Sequence, residues 1–309
     1  MPRQISSNSD KYLYGVYFAP RGVVRMTQMG MIIAQRHLDP FDKLIGIVGE
    51  AGSGKSMLAK GMFPGLEMTN DDNGVNMRPL PILNWDEDTG FYAPHTYHLD
   101  IRFESAFTQM HELAEAIQGA INKDRRVVVE HFDLIAPHLP YKADLLIGVG
   151  EELIVCRPTI FGPEPRDVAD IVFPSVKYRK MAHTAEDLAE RAIMKQYQGN
   201  YHHGDIRHGF ILEFDQHPHL NLDEIEKYVK RNIAEDLPVS FQDEMHIRFG
   251  EKPHRCTGPR MHVRSTGEIE GFSLLNEFHY DEMRGKYLMV GLVGGVDPHD
   301  IHDVNRILL

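Results

Sequence analysis

Short apolar runs separated by helical patterns fill the first half of the chain. Apolar stretches at 12–18, 43–49, 125–132 and 143–150 predict strands, and residues 65–70 form a further candidate strand. The run "KLIGIVG" at 43–49 is continuous rather than alternating, which is typical of a strand buried on both faces of a parallel sheet.

Helical spacing lies between these strands. Apolar side chains recur at that spacing in 23–38, 55–63 and 104–121, and a proline follows or closes each of the first two segments. Residues 71–100 are rich in Asp, Asn, Pro and Gly and predict irregular structure. Strands that alternate with helices indicate an α/β domain with a mainly parallel sheet.

The second half has a different order of elements. Residues 183–199 and 222–237 predict helices, 206–214 alternates as a strand does, and 239–295 is mostly strands. This order is typical of an α+β domain.

A proline-spaced segment at 157–175 separates the two patterns. We therefore expect an α/β domain with an N-terminal extension over 1–178, followed by an α+β domain over 179–309.

The composition is that of a globular cytoplasmic protein. The 309 residues are 42% hydrophobic and 25% charged, and the longest apolar runs are far too short to span a membrane. The first thirty residues contain no apolar signal core, and two cysteines fit a reducing compartment. The formal charge of −12 disfavours broad electrostatic capture of nucleic acid.

Residues 49–56, "GEAGSGKS", match the pattern G-x-x-x-x-G-K-[ST] in full. A predicted strand precedes the motif and a helical stretch follows it, which is the context that a phosphate-binding P-loop requires. Glycines let backbone N–H groups turn towards phosphate oxygens, and the next helix adds the positive end of its dipole. The residues expected around the nucleotide are Gly49, Glu50, Ala51, Gly52, Ser53, Gly54, Lys55, Ser56 and Met57.

Two side chains of this motif carry the expected chemistry. Lys55 is expected to reach the β- and γ-phosphates and Ser56 to ligate Mg²⁺, so ATP and Mg²⁺ are the expected cofactors. The alternative is a glycine-rich turn that only links a strand to a helix.

Three acidic residues complete the candidate catalytic set with Lys55. Glu130 ends the run "VVVE", where a Walker-B-type carboxylate would lie near Mg²⁺; the alternative is a strand-end acid facing solvent. Asp71 and Asp72 follow the candidate strand at 65–70. P-loop kinases that resemble uridine kinase place a base for the acceptor hydroxyl there, and the alternative is an ordinary D-D-N-G turn.

The cations of a phosphotransferase lid are less well defined. The available side chains are Arg157, Arg166, Arg179 and Lys180, and the sequence contains no R-x-x-R-D-type motif. The motifs therefore support nucleotide binding more directly than phosphoryl transfer.

A second resemblance covers about residues 183–280. The stretches "IRHGFILEFDQHPHLNLDEIEKYVKRNIAEDLPVSF" and "CTGPRMHVRSTGEIEGFSLLNE" resemble the second additional domain of alanyl-tRNA synthetases, shared by threonyl-tRNA synthetases and free-standing trans-editing proteins. That family has a helix with H-T-A-x-H-L, an R-x-x-F-x-F-D strand, a helix ending near "LPV", and C-G-G-T-H-V-x-x-T-G-E-I. The resemblance implies that 179–309 is an α+β domain of this synthetase type, after a P-loop domain over 1–178. It also implies a zinc site facing the ester of a mischarged tRNA.

The same resemblance implies a ligand set for the metal. His183 of "HTAEDL" matches the first family histidine, and Cys256 and His262 match the Cys/His pair. Asp187 stands where the second histidine belongs, and the Cys-to-His interval is two residues longer. Zinc accepts thiolate, imidazole and carboxylate ligands, and such a mixed set also suits another divalent ion.

Other interpretations of these residues stay open in the sequence. Thr184 and Asp187 fit a T-x-x-D capping box, and Cys256 would serve as a small buried apolar residue. In "RSTGEIEGF", Arg264 and Thr266 are expected near the pocket mouth. The rival ligands, or simply polar loop residues, are His202, His203 and His208.

Three functions are compatible with these motifs. The first is an ATP-binding phosphotransferase or ATPase whose second domain recognises a small molecule with an amino-acid or aminoacyl moiety. The second is a nucleotide-regulated, trans-acting aminoacyl-tRNA deacylase, which the net charge disfavours because tRNA capture needs cations. The third is a nucleotide-gated binding module without rapid chemistry.

Overall fold

The computed structural model describes residues 14–68, 80–84, 95–296 and 304–305. The chain forms two compact units. The first consists of Met1–Tyr17 and Met26–Pro174, and the second of Phe18–Arg25 and Ser175–Leu309. The second unit thus includes a short N-terminal segment as well as the C-terminal half.

The first unit is built on a mixed sheet. Its strands, within the described residues, are β1 Tyr14–Phe18, β2 Leu44–Gly49, β3 Thr96–Asp100, β4 Arg126–Glu130, β5 Leu145–Val149 and β6 Glu152–Cys156. The strand order is β1-β6-β5-β2-β4-β3. β2 pairs in parallel with β4 and β5, β3 pairs in parallel with β4, and β6 is antiparallel to β5. With its helices, this unit belongs to the α/β class.

The helices of the chain have the following bounds: α1 Val23–His37, α2 Lys55–Met62, α3 Ile101–Glu104, α4 Met110–Asn122, α5 Phe132–Ile135, α6 Pro165–Ile193 and α7 Leu222–Ala234. Two glycines allow α1 and α2 to approach each other closely. A Cβ at Gly30 would lie 2.3 Å from the carbonyl oxygen of Leu58, and one at Gly61 would lie 2.0 Å from that of Thr27. This contact fixes the helix that begins at Lys55.

Two expectations for the first unit are wrong. Gly65–Met68 is not a strand, and the next strand among the described residues is β3, inside the region expected to be irregular. The helix expected from residue 104 begins at Met110, where the Glu112 carboxylate accepts from the backbone N–H of Gln109 at 3.0 Å. This capping interaction starts the helix after Phe107, whose side chain is exposed.

The second unit combines helices with antiparallel sheets. Its described strands are β7 Tyr201–Ile206, β8 Gly209–Phe214, β9 Val239–Asp243, β10 His246–Phe249, β11 Lys252–Arg255, β12 Ser273–Leu274, β13 His279–Asp281 and β14 Lys286–Leu292. One sheet has the order β12-β14-β8-β7, with β13 paired to β14, and the other has the order β11-β10-β9. Phe210, Leu212 and Phe214 of β8 are fully buried in the core, together with Leu188 and Ala189 of α6.

Two elements here also differ from expectation. The helix expected over 183–199 belongs to α6, which begins at Pro165 and continues through Pro174. Prolines usually interrupt helices, which is why the proline-spaced segment at 157–175 was interpreted as separating the two patterns. The single strand expected at 206–214 is a hairpin, in which a two-residue turn containing His208 (φ 52°) joins β7 to β8.

In the part of the chain that the structure describes, no helix combines the length and the apolar character needed to cross a lipid bilayer.

Candidate nucleotide site and candidate metal centre

The loop between β2 and α2 in the first unit holds the residues expected to bind nucleotide. The backbone turns at Gly52 (φ 79°) and Gly54 (φ 94°), where L side chains would be strained. The chain then enters α2 at Lys55. Gly49, Ser53 and Lys55 are buried, Ala51 and Gly52 are exposed, and Glu50, Gly54, Ser56 and Met57 are half-buried. A strand, a glycine-containing loop and a helix N-terminus therefore follow one another as anion binding requires.

Lys55 is the buried cation of this loop. Its side chain donates from Nζ to the carbonyl oxygen of Glu50 at 2.8 Å. Burial lowers the pKa of Lys55, and the charges of Glu130 and Asp100 partly restore it. The hydrogen-bond partner of this buried ammonium group is thus a neutral carbonyl oxygen.

Glu130 ends β4 beside β2 and lies opposite Ile47 in the parallel register. Its carboxylate is 3.0 Å from His98 Nε2. Burial alone would raise the pKa of Glu130, but hydrogen bonds from His98 and Ser56 and the charge of Lys55 hold it below its ordinary value. Glu130 is only 2% exposed, so the alternative of a solvent-facing acid is wrong.

Sequence reasoning missed several side chains around Lys55. Asp100 ends β3 next to Glu130 in the register, and its carboxylate accepts from Phe103 N at 3.1 Å. His131 follows Glu130 with φ 53°, and burial, with a contribution from Lys55, lowers its pKa to about 4. Their position in the sequence, at or directly after the end of a strand, could have identified Asp100 and His131 as site residues. Asp71 and Asp72 lie outside the described residues.

Two of the four candidate lid cations are held in structural contacts. Arg157 pairs with Asp42 at 2.6 Å, and Arg179 donates to the carbonyl oxygen of Pro20 at 2.7 Å. Arg166 is exposed and Lys180 half-buried.

The second unit brings together the four metal ligands implied by the synthetase resemblance. One ligand atom from each of His183, Asp187, Cys256 and His262 lies within 4.8 Å of the others. Cys256 Sγ is 3.2 Å from His262 Nε2 and 3.4 Å from His183 Nε2. Asp187 Oδ1 is 3.9 Å from His183 Nε2, and Asp187 Oδ2 is 3.6 Å from His262 Nε2.

Hydrogen bonds orient both imidazoles. His183 Nδ1 lies 3.1 Å from the Met261 carbonyl oxygen, which can only accept, so Nδ1 carries the proton. Thr184 Oγ1 donates to the Lys180 carbonyl oxygen at 2.8 Å and is 3.1 Å from His262 Nδ1, which therefore donates to it. Both Nε2 lone pairs consequently face Cys256 and Asp187, as metal ligands require.

The capping-box interpretation of Asp187 is wrong. Thr184 and Asp187 lie far inside α6, whose first residue is Pro165. Asp187 Oδ2 is buried and has no hydrogen-bond partner among the described residues. This oxygen is thus available to a ligand of another kind, while the Asp187 carboxyl group also hydrogen-bonds with the Cys256 thiol.

Burial favours the neutral form of all four groups in the metal-free protein. Burial raises the pKa of Asp187 well above its ordinary value, with help from Glu190, and also raises the pKa of the Cys256 thiol. Burial lowers the pKa of His262 to about 3 and that of His183 well below its ordinary range. A divalent cation favours thiolate, carboxylate and neutral imidazole, so the donor set fits a zinc-type ion.

The three rival histidines have other surroundings. His202 is exposed on β7, and His208 stacks on Tyr178 with a 3.7 Å separation of ring centroids. His203 Nδ1 is 3.0 Å from Glu186 Oε1, and its Nε2 is 3.4 Å from Glu190 Oε1. None of the three is in the four-residue ligand set.

The Cys-to-His interval, two residues longer than in the family, contacts the N-terminal segment of this unit. Val23 N donates to the Thr257 carbonyl oxygen at 3.1 Å. A Cβ at Gly258 would lie 2.9 Å from His183 Cε1 and 3.1 Å from Gly22 N. Only glycine at 258 therefore lets this loop pack against both the ligand histidine and the segment.

An open pocket adjoins the candidate metal centre. Its volume is ≈ 430 Å³, and its lining residues are Val239, Ser240, Phe241, Pro259, Arg260, His262, Val263 and Arg264. Arg264 thus lies at the pocket, as expected. Thr266 does not line it: it is fully buried and donates to the Asn232 carbonyl oxygen at 2.6 Å. The pocket combines one histidine of the candidate metal centre with two guanidinium groups.

Comparison of the chain with protein-family models and with curated proteins gives no match.

Proposed function

We propose that the chain binds ATP and Mg²⁺ at Gly49–Met57 and acts as a phosphotransferase or ATPase. One observation carries this proposal: Lys55 and Ser56, at the start of α2, share their surroundings with Glu130, at the end of the adjacent parallel strand. A phosphate-facing lysine, a metal-facing hydroxyl and a metal-facing carboxylate are the parts that P-loop chemistry needs. The resemblance of the motif to uridine-kinase-type P-loops points the same way.

Each of these residues has a separate role. Lys55 exchanges its carbonyl partner for phosphate oxygens, and the backbone N–H groups of the loop bind the remaining oxygens. Ser56 and Glu130 would hold Mg²⁺, which when bound neutralises charge on the phosphate oxygens. The lowered pKa of Glu130 keeps it ionised for that purpose. Asp71, Asp72 and Asp100 are the candidate carboxylates on the acceptor side.

The second unit, in this proposal, recognises a substrate with an amino-acid or aminoacyl moiety. His183, Asp187, Cys256 and His262 would hold a zinc-type ion, which when bound polarises a carbonyl group of the substrate. Arg260 and Arg264, in the pocket wall that includes His262, favour a substrate that also carries an anionic group. Phe241 offers an apolar surface in the same pocket.

Substitution of Lys55 tests the nucleotide proposal. We expect Lys55→Ala to weaken ATP·Mg²⁺ binding by about 100-fold, because it removes a charge-assisted contact from a buried site. Lys60→Ala is the matched control, since Lys60 lies on the same helix outside the motif. Calorimetric titration measures affinity, and phosphate release with and without candidate acceptors measures turnover. Equal affinity for ATP in wild type and Lys55→Ala would exclude this site.

A second candidate function is aminoacyl-tRNA deacylation. The observation that favours it is the open pocket beside the candidate ligands, with His262 in its wall. The test is release of alanine or another amino acid from mischarged tRNA without ATP, comparing wild type with Cys256→Ala. Metal-dependent release lost in that variant supports deacylation. Nucleotide binding without turnover of either kind supports the third possibility, a nucleotide-gated binding module.

A further inference from the structure

A second group of potential ligands lies beside the four-residue set. Asp187, Glu190 and His254 bring ligand atoms within 4.8 Å of one another. His254 Nε2 is 3.8 Å from Asp187 Oδ2 and 3.8 Å from Glu190 Oε2. The side chains of these three residues are 6%, 9% and 5% exposed, in that order. Only Asp187 is common to both groups.

Two atoms of this second group lack hydrogen bonds. Asp187 Oδ2 and His254 Nε2 are buried, and neither has a hydrogen-bond partner in the described part of the chain. Their separation of 3.8 Å is too long for a hydrogen bond between them. Ligands held about 2.0–2.1 Å from a tetrahedral ion lie roughly 3.3–3.4 Å apart, close to the spacing here. A cation between the two atoms would satisfy both.

The surrounding charges leave this position open to a cation. Asp187 and Glu190 are three residues apart on α6 and therefore share one helical face. The neighbouring Glu186 pairs with Arg21 at 2.9 Å. In the described ranges, the contacts of Asp187 and Glu190 within ion-pair distance are to histidines alone. Two buried carboxylates here thus lack a lysine or arginine partner.

We propose that Asp187, Glu190 and His254 bind a second divalent transition-metal ion, and that Asp187 bridges it to the first. A carboxylate has two oxygens and serves two ions at once in two-metal centres. The new site offers oxygen and nitrogen donors without a thiolate, which suits Zn²⁺ or Mn²⁺, whereas the first site adds the Cys256 thiolate. His203, 3.4 Å from Glu190 Oε1, orients that carboxylate. The inference rests on the first metal site of the proposed function.

The test is metal stoichiometry of the full chain, stripped with a chelator and titrated with Co²⁺ and separately with Zn²⁺. The thiolate-to-Co²⁺ charge-transfer absorption reports the ion at Cys256 alone. We expect two ions per wild-type chain. His254→Gln and Glu190→Gln should each lose one ion and keep the charge-transfer band, whereas Cys256→Ser should lose the band and keep one ion. His246→Gln, on the neighbouring strand β10, is the matched control and should keep both ions.

The outcomes separate this inference from the proposed first site. One ion per wild-type chain with the charge-transfer band overturns the second site and leaves the first intact. No bound ion overturns both. Loss of both ions and of the band in His254→Gln and Glu190→Gln alike also overturns the inference, because the residues would then belong to a single site. Glu190→Gln preserves the size of the side chain. It therefore tests the second site independently if His254→Gln fails to fold.

Discussion

The loop site of the first unit and the candidate ligand cluster of the second unit bury ionisable groups with different neighbours. In the first, the ammonium group of Lys55 is desolvated while the charges of Glu130 and Asp100 stabilise it. In the second, Asp187 and Glu190 are buried with neighbours that burial keeps neutral, such as His262. A buried cation with carboxylates nearby suits an anionic ligand together with a metal ion. Buried acids with imidazoles and a thiol suit a cation alone.

Two adjacent residues of α6 show the same contrast at short range. Glu186 is paired with Arg21, and although burial alone would raise its pKa, Arg21 and His203 hold the pKa below the ordinary value. Asp187, one position later, has only histidines within ion-pair distance among the described residues, and burial raises its pKa. A directly bonded arginine therefore distinguishes Glu186 from the candidate ligand Asp187.

The largest expected effect comes from removing that cation. Arg21→Met removes the buried guanidinium partner of Glu186, which keeps only His203, and one of the two guanidinium partners of Asp205. Arg21 also donates to the carbonyl oxygens of Gly204 and Gly209. We expect the free energy of unfolding of the second unit to fall by about 3–5 kcal/mol. Urea denaturation measures the loss, and hydrogen exchange in 201–214 assigns it to this unit.

Arg25→Met is the matched control for that prediction. Arg25 also pairs with Asp205, but its side chain is 33% exposed, so its removal should cost about 1 kcal/mol or less. If the two variants lost equal unfolding free energy, the buried ion pair of Arg21 would be no stronger than the exposed one of Arg25. The proposed contrast between Glu186 and Asp187 would then be wrong.

The next effect is a pH dependence of the metal-free protein. Burial raises the pKa of Glu190 from 4.5 to about 7, so the folded state binds more protons than the unfolded state between these values. Stability contributed by Glu190 is thus present at low pH and lost as pH rises through about 7. Glu190→Gln lacks this loss. The free energy of unfolding of Glu190→Gln minus that of wild type should therefore increase by about 3 kcal/mol as pH rises from about 4.5 to 8.

Glu186→Gln sharpens this comparison because its pKa shift has the opposite direction. The pKa of Glu186 is lowered, so this substitution should lose stability relative to wild type as pH rises through the acid range. Saturating Zn²⁺ should reverse the sign for Glu190→Gln, since a bound ion favours the ionised carboxylate. Urea denaturation across the pH series, with and without Zn²⁺, measures both trends. The same trend in the two variants would contradict the assignment of one carboxylate as paired and the other as unpaired.

Part of the first site was predictable because it is contiguous in sequence. The strand, loop and helix over 43–63 follow from eight consecutive residues and their flanking pattern. The strand β3 escaped prediction because its central His98 is polar, yet it is buried against Glu130 on the next strand. The continuity of α6 was also not predicted, because proline usually ends a helix. Pro174 nevertheless lies inside α6.

The second site depends on residues far apart in sequence. Arg21 and Glu186 are 165 positions apart, and no periodicity indicates that Phe18–Arg25 belongs with the C-terminal half. The sequence spacing of His254 and Glu190 did contain part of the information. His254 and Cys256 are two positions apart at the end of a strand, so they share one face, and Asp187 and Glu190 share a helical face. Only the fold brings those two faces together.

The smallest effect concerns the orientation of one ligand. Thr184→Val removes the hydroxyl that accepts from His262 Nδ1 and leaves the imidazole free to take the other tautomer. We expect about tenfold weaker Zn²⁺ binding, as for loss of a hydrogen bond behind a metal-ligand histidine, with unchanged ATP affinity because the first site uses backbone N–H groups and Lys55. Thr184→Ser keeps the hydroxyl and should retain wild-type affinity. Competition against a chromogenic chelator measures the change. Equal weakening in the valine and serine variants would show that packing of the threonine methyl group, rather than the hydrogen bond, supports His262.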